Sequence, residues 1–235
     1  MNGSPAERKR ALTENDLLFI IRAAPHSAAH DDLLFLAIVL VGWHCLLRLG
    51  ELVDHDSSRL RDYRKNISRL SVKFHDLPRP HVSLFLPMHK ADRFTEGSTV
   101  IFEKRSSSRL DPVHFFKIYL SSRDDRFPHL PQLWLRSDRS VPTRSWFINR
   151  IRAIFPSNEI ASHSLRSGGA TALALAGTPL HKIQSIGRWS SDAFLIYLQR
   201  HPLLIQSSLA GCSALDAQQT DLQSCSHHQP PVLHR

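Results

Sequence analysis

An uninterrupted apolar run at residues 33–43 is the feature that most restricts how this chain can fold. Its 11 residues are too few for a membrane-spanning helix, which needs about 20, but they suit a helix that is buried on every side. Asp31 and Asp32 precede the run, where their negative charges favour the positive end of a helix. The run therefore predicts a buried helix, and a chain of 235 residues is long enough for one main domain around it.

The chain carries an excess of basic residues. Lys and Arg number 30 against 21 Asp and Glu, which gives a formal net charge of +9. Such a surplus attracts polyanions, because neutralising phosphates releases condensed counterions from nucleic acid. Many soluble proteins are basic without binding nucleic acid, so the charge permits a DNA or RNA partner and does not identify one.

The sequence gives no indication of a metal or another cofactor. Its three cysteines form no CxxC pair, which argues against both a disulfide framework and a tetrahedral zinc site, and a reducing compartment fits best. No Walker loop, HExxH motif or paired-carboxylate motif of a metal nuclease is found. A secretory signal is not expected either, because the N-terminal residues are polar and include acids.

The order of hydrophobic patterns predicts an α+β domain, mainly helical with a small antiparallel sheet. Helices are predicted from the cap at Thr13 to about residue 24, through the apolar run, from Asp111, from Thr143 to Pro156, and over 164–176, 179–186 and 192–199. Strands are predicted at 81–88 and 98–103, which form a hairpin, and at 133–136. Gly168 and Gly169 would let their helix approach another helix or a phosphate closely. The folded domain is expected at 11–206, between a polar segment at 1–10 and a mostly disordered tail at 207–235.

Two short motifs place charged side chains at helical spacing. In the first, Arg48 is followed three residues later by Glu51, directly after the buried helix. The second is an HxxR motif, in which His163 and Arg166 share one helical face because residues three apart are neighbours. Each motif alone is a weak signal, because polar pairs at this spacing are common on solvated helix surfaces. Their order along the chain makes them informative.

Residues 162–200 resemble the second half of the catalytic domain of tyrosine recombinases of the phage-integrase family. That family places an HxxR motif at the start of one helix, a GH or GW pair after the next, and a nucleophilic tyrosine in the following helix. Arg48, Lys90 on the hairpin, His163 with Arg166, and Tyr197 follow the family's order, and the resemblance covers about residues 10–200. The sequence GRWSSDAF and the KADRF hairpin resemble recombinases encoded by eukaryotic, especially fungal, mobile elements.

The resemblance implies DNA recombination or integration by breaking and rejoining strands through a 3′-phosphotyrosine. Tyr197 would be the nucleophile, and His163 would accept its proton, because a phenol with a pKa near 10 attacks poorly while protonated. Lys90 would protonate the departing 5′ oxygen. Arg48 and Arg166 are expected to form a clamp on the phosphate, since a guanidinium stays charged and forks onto two oxygens.

The residue at the family's His or Trp position is left open between two neighbours. Trp189 lies 23 residues after Arg166, which matches the family, whereas Arg188 fits the usual nine-residue distance to Tyr197. Trp189 is favoured because its indole N–H can donate to a phosphate oxygen, and Arg188 is kept as a supporting residue.

Further residues are expected to support the catalytic core or to contact DNA. Glu51 would hold Arg48 in place. The basic helix that follows Thr143 is expected to contact phosphates through three arginines: Arg144, Arg150 and Arg152.

The resemblance implies double-stranded DNA as the partner and allows a homo-oligomer on that DNA, with no metal and no membrane. The expected location is the nucleus if the chain is eukaryotic and otherwise the cytoplasm. Family members usually carry a helical core-binding domain before the catalytic one, whereas here the catalytic pattern begins almost at once. Three functions stay open: an active recombinase that forms a covalent DNA adduct, a non-catalytic DNA-binding remnant, and a type IB topoisomerase. The integrase-like motifs disfavour the third.

Overall fold

A computed structural model of the protein describes residues 9–24, 29–87, 97–105, 109–157, 159–191 and 194–195. Its elements are α1 (Glu14–Ala23), α2 (His30–His44), α3 (Leu49–Leu52), β1 (Lys73–His75), β2 (His81–Leu86), β3 (Ser98–Glu103), α4 (Pro112–Arg126), α5 (Arg144–Ile154), α6 (Ser164–Leu175) and α7 (Leu180–Gly187). The predicted α+β class is confirmed. The predicted hairpin turn, the tail at 207–235, and Lys90 and Tyr197 lie outside the described residues, as does most of the predicted helix at 192–199.

The apolar run forms α2, which is the centre of the hydrophobic core. Side chains at 34–41 are at most 6% exposed, because α2 packs against α1, α4 and α6. Asp31 and Asp32 lie in its first turn, as predicted from their charge. Among the described residues, no helix combines the length and the apolar character needed to cross a membrane.

Side-chain caps fix the starts of three helices where the sequence predicts them. At α1, the Thr13 hydroxyl accepts from the backbone N–H of Asp16, and the Asp16 carboxylate accepts from the backbone N–H of Thr13. Asp111 caps α4 ahead of Pro112, and Thr143 caps α5. The caps satisfy backbone N–H groups that have no partner within the helix.

The sheet is antiparallel with the order β1–β2–β3 and packs on α4. The predicted hairpin is confirmed by the register of β2 and β3, in which His81 pairs with Glu103 and Leu86 with Ser98. Phe102 meets Phe116 of α4 edge to face, with ring centroids 5.3 Å apart. Strand β1 was not predicted, because three residues are too few to show an alternating pattern.

The predicted strand at 133–136 is wrong. In the structure these residues belong to no strand, and the bridge from Ser68 to Gln132 is isolated and lies just before them. Isolated hydrogen bonds satisfy the backbone instead: the Leu133 N–H donates to Ile67 O at 2.8 Å, and the Tyr119 hydroxyl of α4 donates to Leu133 O at 2.8 Å. The segment is apolar because it is buried, and the carbonyl of Leu135 lies 2.9 Å from His30 Nε2 of α2.

Helix α6 touches the backbone of its neighbours at the predicted glycine pair. A Cβ at Gly168 would lie 2.0 Å from Leu12 O, and a Cβ at Gly169 would lie 2.1 Å from Trp43 O. The close approach that the glycines predicted is therefore to α2 and to the segment before α1. It brings α6 against the C-terminal end of α2.

Because two histidines are partly or fully buried, we expect the protein to lose stability in mild acid. Burial lowers the pKa of His44 to about 4 and also lowers the pKa of His30. The unfolded chain binds these protons near pH 6.5, so stability falls as the pH drops below that value, and the loss from His44 levels off near pH 4. The loss of unfolding free energy that His44 alone causes on acidification should reach about 3 kcal/mol.

This expectation can be measured by urea unfolding at about pH 7.5 and about pH 4.5. His44→Gln keeps a donor for Leu110 O, the partner of His44 Nε2 at 3.1 Å, but does not titrate. The variant should lose less free energy of unfolding between the two pH values than the unmodified protein. Equal losses would show that His44 does not cause the effect.

Candidate active site

The turn that leaves α2 positions the first arginine. Leu46 has a φ of 51°, which ends the helix and turns the chain into α3, where Arg48 is the N-cap. The Arg48 backbone N–H donates to Glu51 Oε2 at 2.8 Å, and Arg48 Nη1 donates to Glu51 Oε1 at 3.0 Å. The ion pair predicted from the sequence is present. The Glu51 side chain is 5% exposed and that of Arg48 27%, so the guanidinium still reaches solvent.

A second arginine reaches the same carboxylate from the other end of the chain. Arg188 follows α7 in a left-handed conformation, with a φ of 55°, and its Nη2 donates to Glu51 Oε2 at 3.0 Å. Its Nη1 also donates to Cys45 O at 3.4 Å and Ile186 O at 3.0 Å. Glu51 therefore holds both arginines, and Arg188 ties the end of α7 to the turn after α2. The sequence analysis kept Arg188 as a supporting residue, and that role stays a prediction.

Arg166 is buried between the end of α7 and the turn after α2. Its side chain, on α6, is among the most buried polar groups, with the residue 2% exposed. Nη1 donates to Leu46 O at 2.6 Å and Nη2 donates to Gly187 O. The ring of Trp189 lies over the guanidinium, with its centroid 4.0 Å from Cζ. The structure thus stacks Trp189 on Arg166.

His163 lies one helical turn before Arg166 and is exposed, at the N-cap of α6. Its Nδ1 is 3.4 Å from Ser162 Oγ, and Arg144 Nη2 donates to that hydroxyl at 2.7 Å. The backbone N–H of Arg144 donates to Asp54 O, just beyond α3. Arg144 is therefore brought beside His163. Ser162 was not predicted, because a serine next to a histidine carries no distinctive signal.

The other two arginines of the basic helix differ in their positions. Arg150 donates to Asp32 at 2.6 Å and lies over the Trp146 ring at 4.8 Å. Asp32 is at the start of α2, about 20 Å along that helix from the turn at Arg48. Arg150 therefore joins α5 to α2 at a distance from Arg48. Arg152 is exposed on α5.

Phe194, which follows Trp189 among the described residues, lies in the core. The Phe194 and Trp189 rings have centroids 5.4 Å apart, and Phe194 is buried with Leu46 and Ile183. Tyr197 follows three residues later in the sequence and lies, like Lys90, outside the described residues. In the described ranges, no three His, Cys, Asp or Glu side chains come together in a way that could hold a metal ion.

Solved structures of DNA recombinases share this arrangement of elements. The XerH site-specific recombinase in a post-cleavage complex with its palindromic difH substrate gives a TM-score of 0.61 and 12% identity, over 86% of this chain and 53% of that one. XerA recombinase gives 0.58 and 19% identity, over 89% and 66%. The Tn1549 transposon integrase bound to transposon right end DNA gives 0.53 and 14% identity, over 92% and 68%.

The chain has the fold of a tyrosine recombinase catalytic domain. It spans about half the length of XerH. No family model and no curated protein matches the sequence. In this tyrosine recombinase fold, the motifs that contain Arg48 and Arg166 meet at one place, the turn between α2 and α3.

Proposed function

We propose that this chain is the catalytic part of a tyrosine recombinase that breaks and rejoins double-stranded DNA as an oligomer. The observation that carries the proposal is the convergence of Arg48, Arg166 and Arg188 on the turn after α2, with exposed His163 one helical turn from Arg166. Cutting a phosphodiester adds negative charge around phosphorus, and cations held in place before the reaction are the main way to stabilise it. The fold supplies such cations from distant parts of the sequence.

The reaction is a transesterification that conserves one phosphoester bond. The Tyr197 phenol oxygen attacks the phosphorus, the bond to the 5′ oxygen breaks, and a 3′-phosphotyrosine forms. His163 accepts the phenol proton, and Lys90 gives a proton to the departing oxygen. A 5′ hydroxyl from another strand then attacks the phosphotyrosine, restores the DNA backbone and releases the tyrosine.

The burial of Arg166 supports different tasks for the two arginines of the clamp. Arg166 is 2% exposed and donates to two carbonyls, whereas the Arg48 side chain is 27% exposed with one carboxylate partner. Arg48 would therefore be the arginine that a phosphate meets first. Direct contact with Arg166 would require the residues around it to open, so that its N–H groups reach the phosphate.

The same burial favours a second candidate, a non-catalytic DNA-binding module. If Arg166 stays buried, the domain keeps a basic surface but does not complete the set of cations around the phosphorus. Such a module would bind DNA in a salt-sensitive way without forming a covalent bond.

A nicked suicide substrate separates these functions. The full chain should form an adduct with DNA that survives denaturant, and Tyr197→Phe should abolish it, because phenylalanine has no oxygen to attack phosphorus. Mass spectrometry of the digested adduct should find the modified peptide at Tyr197 and not at Tyr63 or Tyr119.

Other outcomes of this experiment identify other functions. Binding without an adduct would establish the non-catalytic module. In a parallel assay on supercoiled plasmid, relaxation without strand exchange would indicate a topoisomerase. An adduct that persists in Tyr197→Phe would mean that another residue is the nucleophile.

A further inference from the structure

The chain between α3 and β1 carries a group of exposed cations. We name residues 55–66 the basic loop; it contains two 3-10 turns, Ser58–Leu60 and Tyr63–Lys65. Its four cations are all exposed, and it has two acids: the cations are Arg59, Arg61, Arg64 and Lys65, and the acids are Asp56 and Asp62. The Tyr63 ring is also 82% exposed, which is unusual for an aromatic side chain.

Hydrogen bonds within the protein use both acids and hold the loop in shape. Asp56 accepts from the backbone N–H of Ser145 at the start of α5, at 2.8 Å. Asp62 accepts from Arg64 Nε at 2.9 Å and from Nη2 at 3.0 Å. Arg61 donates to the carbonyls of His55, at 2.9 Å, and Asp56. A loop fixed in this way loses little conformational freedom when a partner binds.

Two of the cations remain directed to solvent. Within the described part of the chain, neither Arg59 nor Lys65 has a carboxylate within 4.0 Å, although the charge of Lys65 helps to lower the pKa of Asp62. Positive charge without a close acid on a fixed exposed loop is suited to a partner that carries regularly spaced negative charges.

The basic loop lies beside the candidate active site across one cavity. This cavity, about 190 Å³ in volume, is lined by Gly50 and Asp54 after Arg48, by Lys65 and Asn66 of the loop, and by Arg144. Arg144 also bonds to Ser162, next to His163. Asp54 and Asp62 line the cavity together with Lys65 and Arg144, so its lining carries both signs of charge.

We propose that the basic loop binds the phosphate backbone of double-stranded DNA next to the strand that reaches Arg48 and His163. The proposal rests on the proposed function, since it takes DNA as the partner. Arg59 and Lys65 neutralise phosphates, and the Tyr63 hydroxyl donates to a phosphate oxygen, a type of contact that positions DNA without reading its sequence. The loop would thus extend the DNA contacts beyond the reacting phosphate.

Removal of two charges tests this surface. Binding of the full chain to a mixed-sequence duplex of about 30 base pairs is measured by fluorescence anisotropy over a range of salt concentrations. Arg59→Gln with Lys65→Gln should weaken binding about tenfold near 0.1 M salt and lower the slope of log K against log salt by about 2.

The matched control removes two exposed charges near the opposite end of α2: Arg22→Gln with Arg126→Gln. Arg126 acts electrostatically on His30, the first residue of α2, and Arg22 is in the last turn of α1, shortly before α2 begins. This control should change affinity by less than about twofold and leave the salt slope near that of the unmodified protein. Equal affinity and slope for the two double variants would overturn the proposal, as would an unmodified protein that does not bind the duplex.

The adduct assay distinguishes failure of the loop from failure of the chemistry. If the unmodified protein forms the adduct and the loop variant binds like the control, the loop inference alone is wrong. If no adduct forms but the loop variant still weakens binding relative to the control, the loop inference is supported and the proposed chemistry is wrong.

Discussion

Gly169→Ala is expected to lower the free energy of unfolding by several kcal/mol, enough to unfold much of the protein at physiological temperature. The added Cβ would lie 2.1 Å from Trp43 O and 2.6 Å from Leu46 Cδ2. The nearer atom belongs to the backbone of α2, so α6 or α2 must move as a whole. Either movement disturbs the core and the Leu46 carbonyl that accepts from Arg166. Urea unfolding, followed by circular dichroism, measures the loss.

Gly50→Ala is the matched control. No atom lies within 4 Å of a Cβ built at Gly50, and the residue is exposed in α3, so the substitution should be neutral or slightly stabilising. If Gly169→Ala unfolds at the same urea concentration as Gly50→Ala, α6 and α2 are not in backbone contact at Gly169.

Arg48→Gln should slow adduct formation by at least about 100-fold at saturating DNA, the usual cost of removing one group that stabilises developing negative charge. Its stability should change little, because the buried Glu51 carboxylate still accepts from the backbone N–H of residue 48. Glu51 also keeps Arg188 as a partner at 3.0 Å. The rate is measured in single turnover with the suicide substrate, beside an unfolding curve.

Arg69→Gln is a suitable control for this variant. Arg69 has the same side-chain exposure, 27%, and pairs with Asp124 on α4 rather than with a residue of the site. It should form the adduct at the rate of the unmodified protein. Similar rates in Arg48→Gln and Arg69→Gln would remove Arg48 from the proposed chemistry.

The sequence patterns predicted those features that depend on residues close together in the chain. The α1 cap depends on Thr13 and Asp16, three residues apart, and the Arg48–Glu51 pair has the same spacing. The hairpin follows from alternating residues on β2 and β3. In each case the interacting groups are close in sequence or related by a short turn, so the pattern alone was enough to predict them.

Interactions between distant segments could not be predicted in this way. The segment at 133–136 has the composition of a strand, but the carbonyls of Leu133 and Leu135 accept from the Tyr119 hydroxyl, which no spacing rule relates to the segment. The hydrogen bond from Arg188 to Glu51 joins residues that are 137 positions apart in the sequence.

The HxxR motif also shows this limit. It predicted one shared helical face for His163 and Arg166, whereas His163 is the exposed N-cap of α6 and Arg166 is buried. That difference arises because α6 is enclosed from Ser164 to Thr171 by residues elsewhere in the chain.

The carboxylate shared by Arg48 and Arg188 couples two parts of the protein that are remote in sequence. A change at Glu51 releases both guanidinium groups at once, whereas a change at either arginine alters the surroundings of the other. Substitutions at these three positions should therefore combine non-additively. A homologue that loses the acid would be expected to replace both arginines as well, so the trio should be gained or lost as one inherited unit.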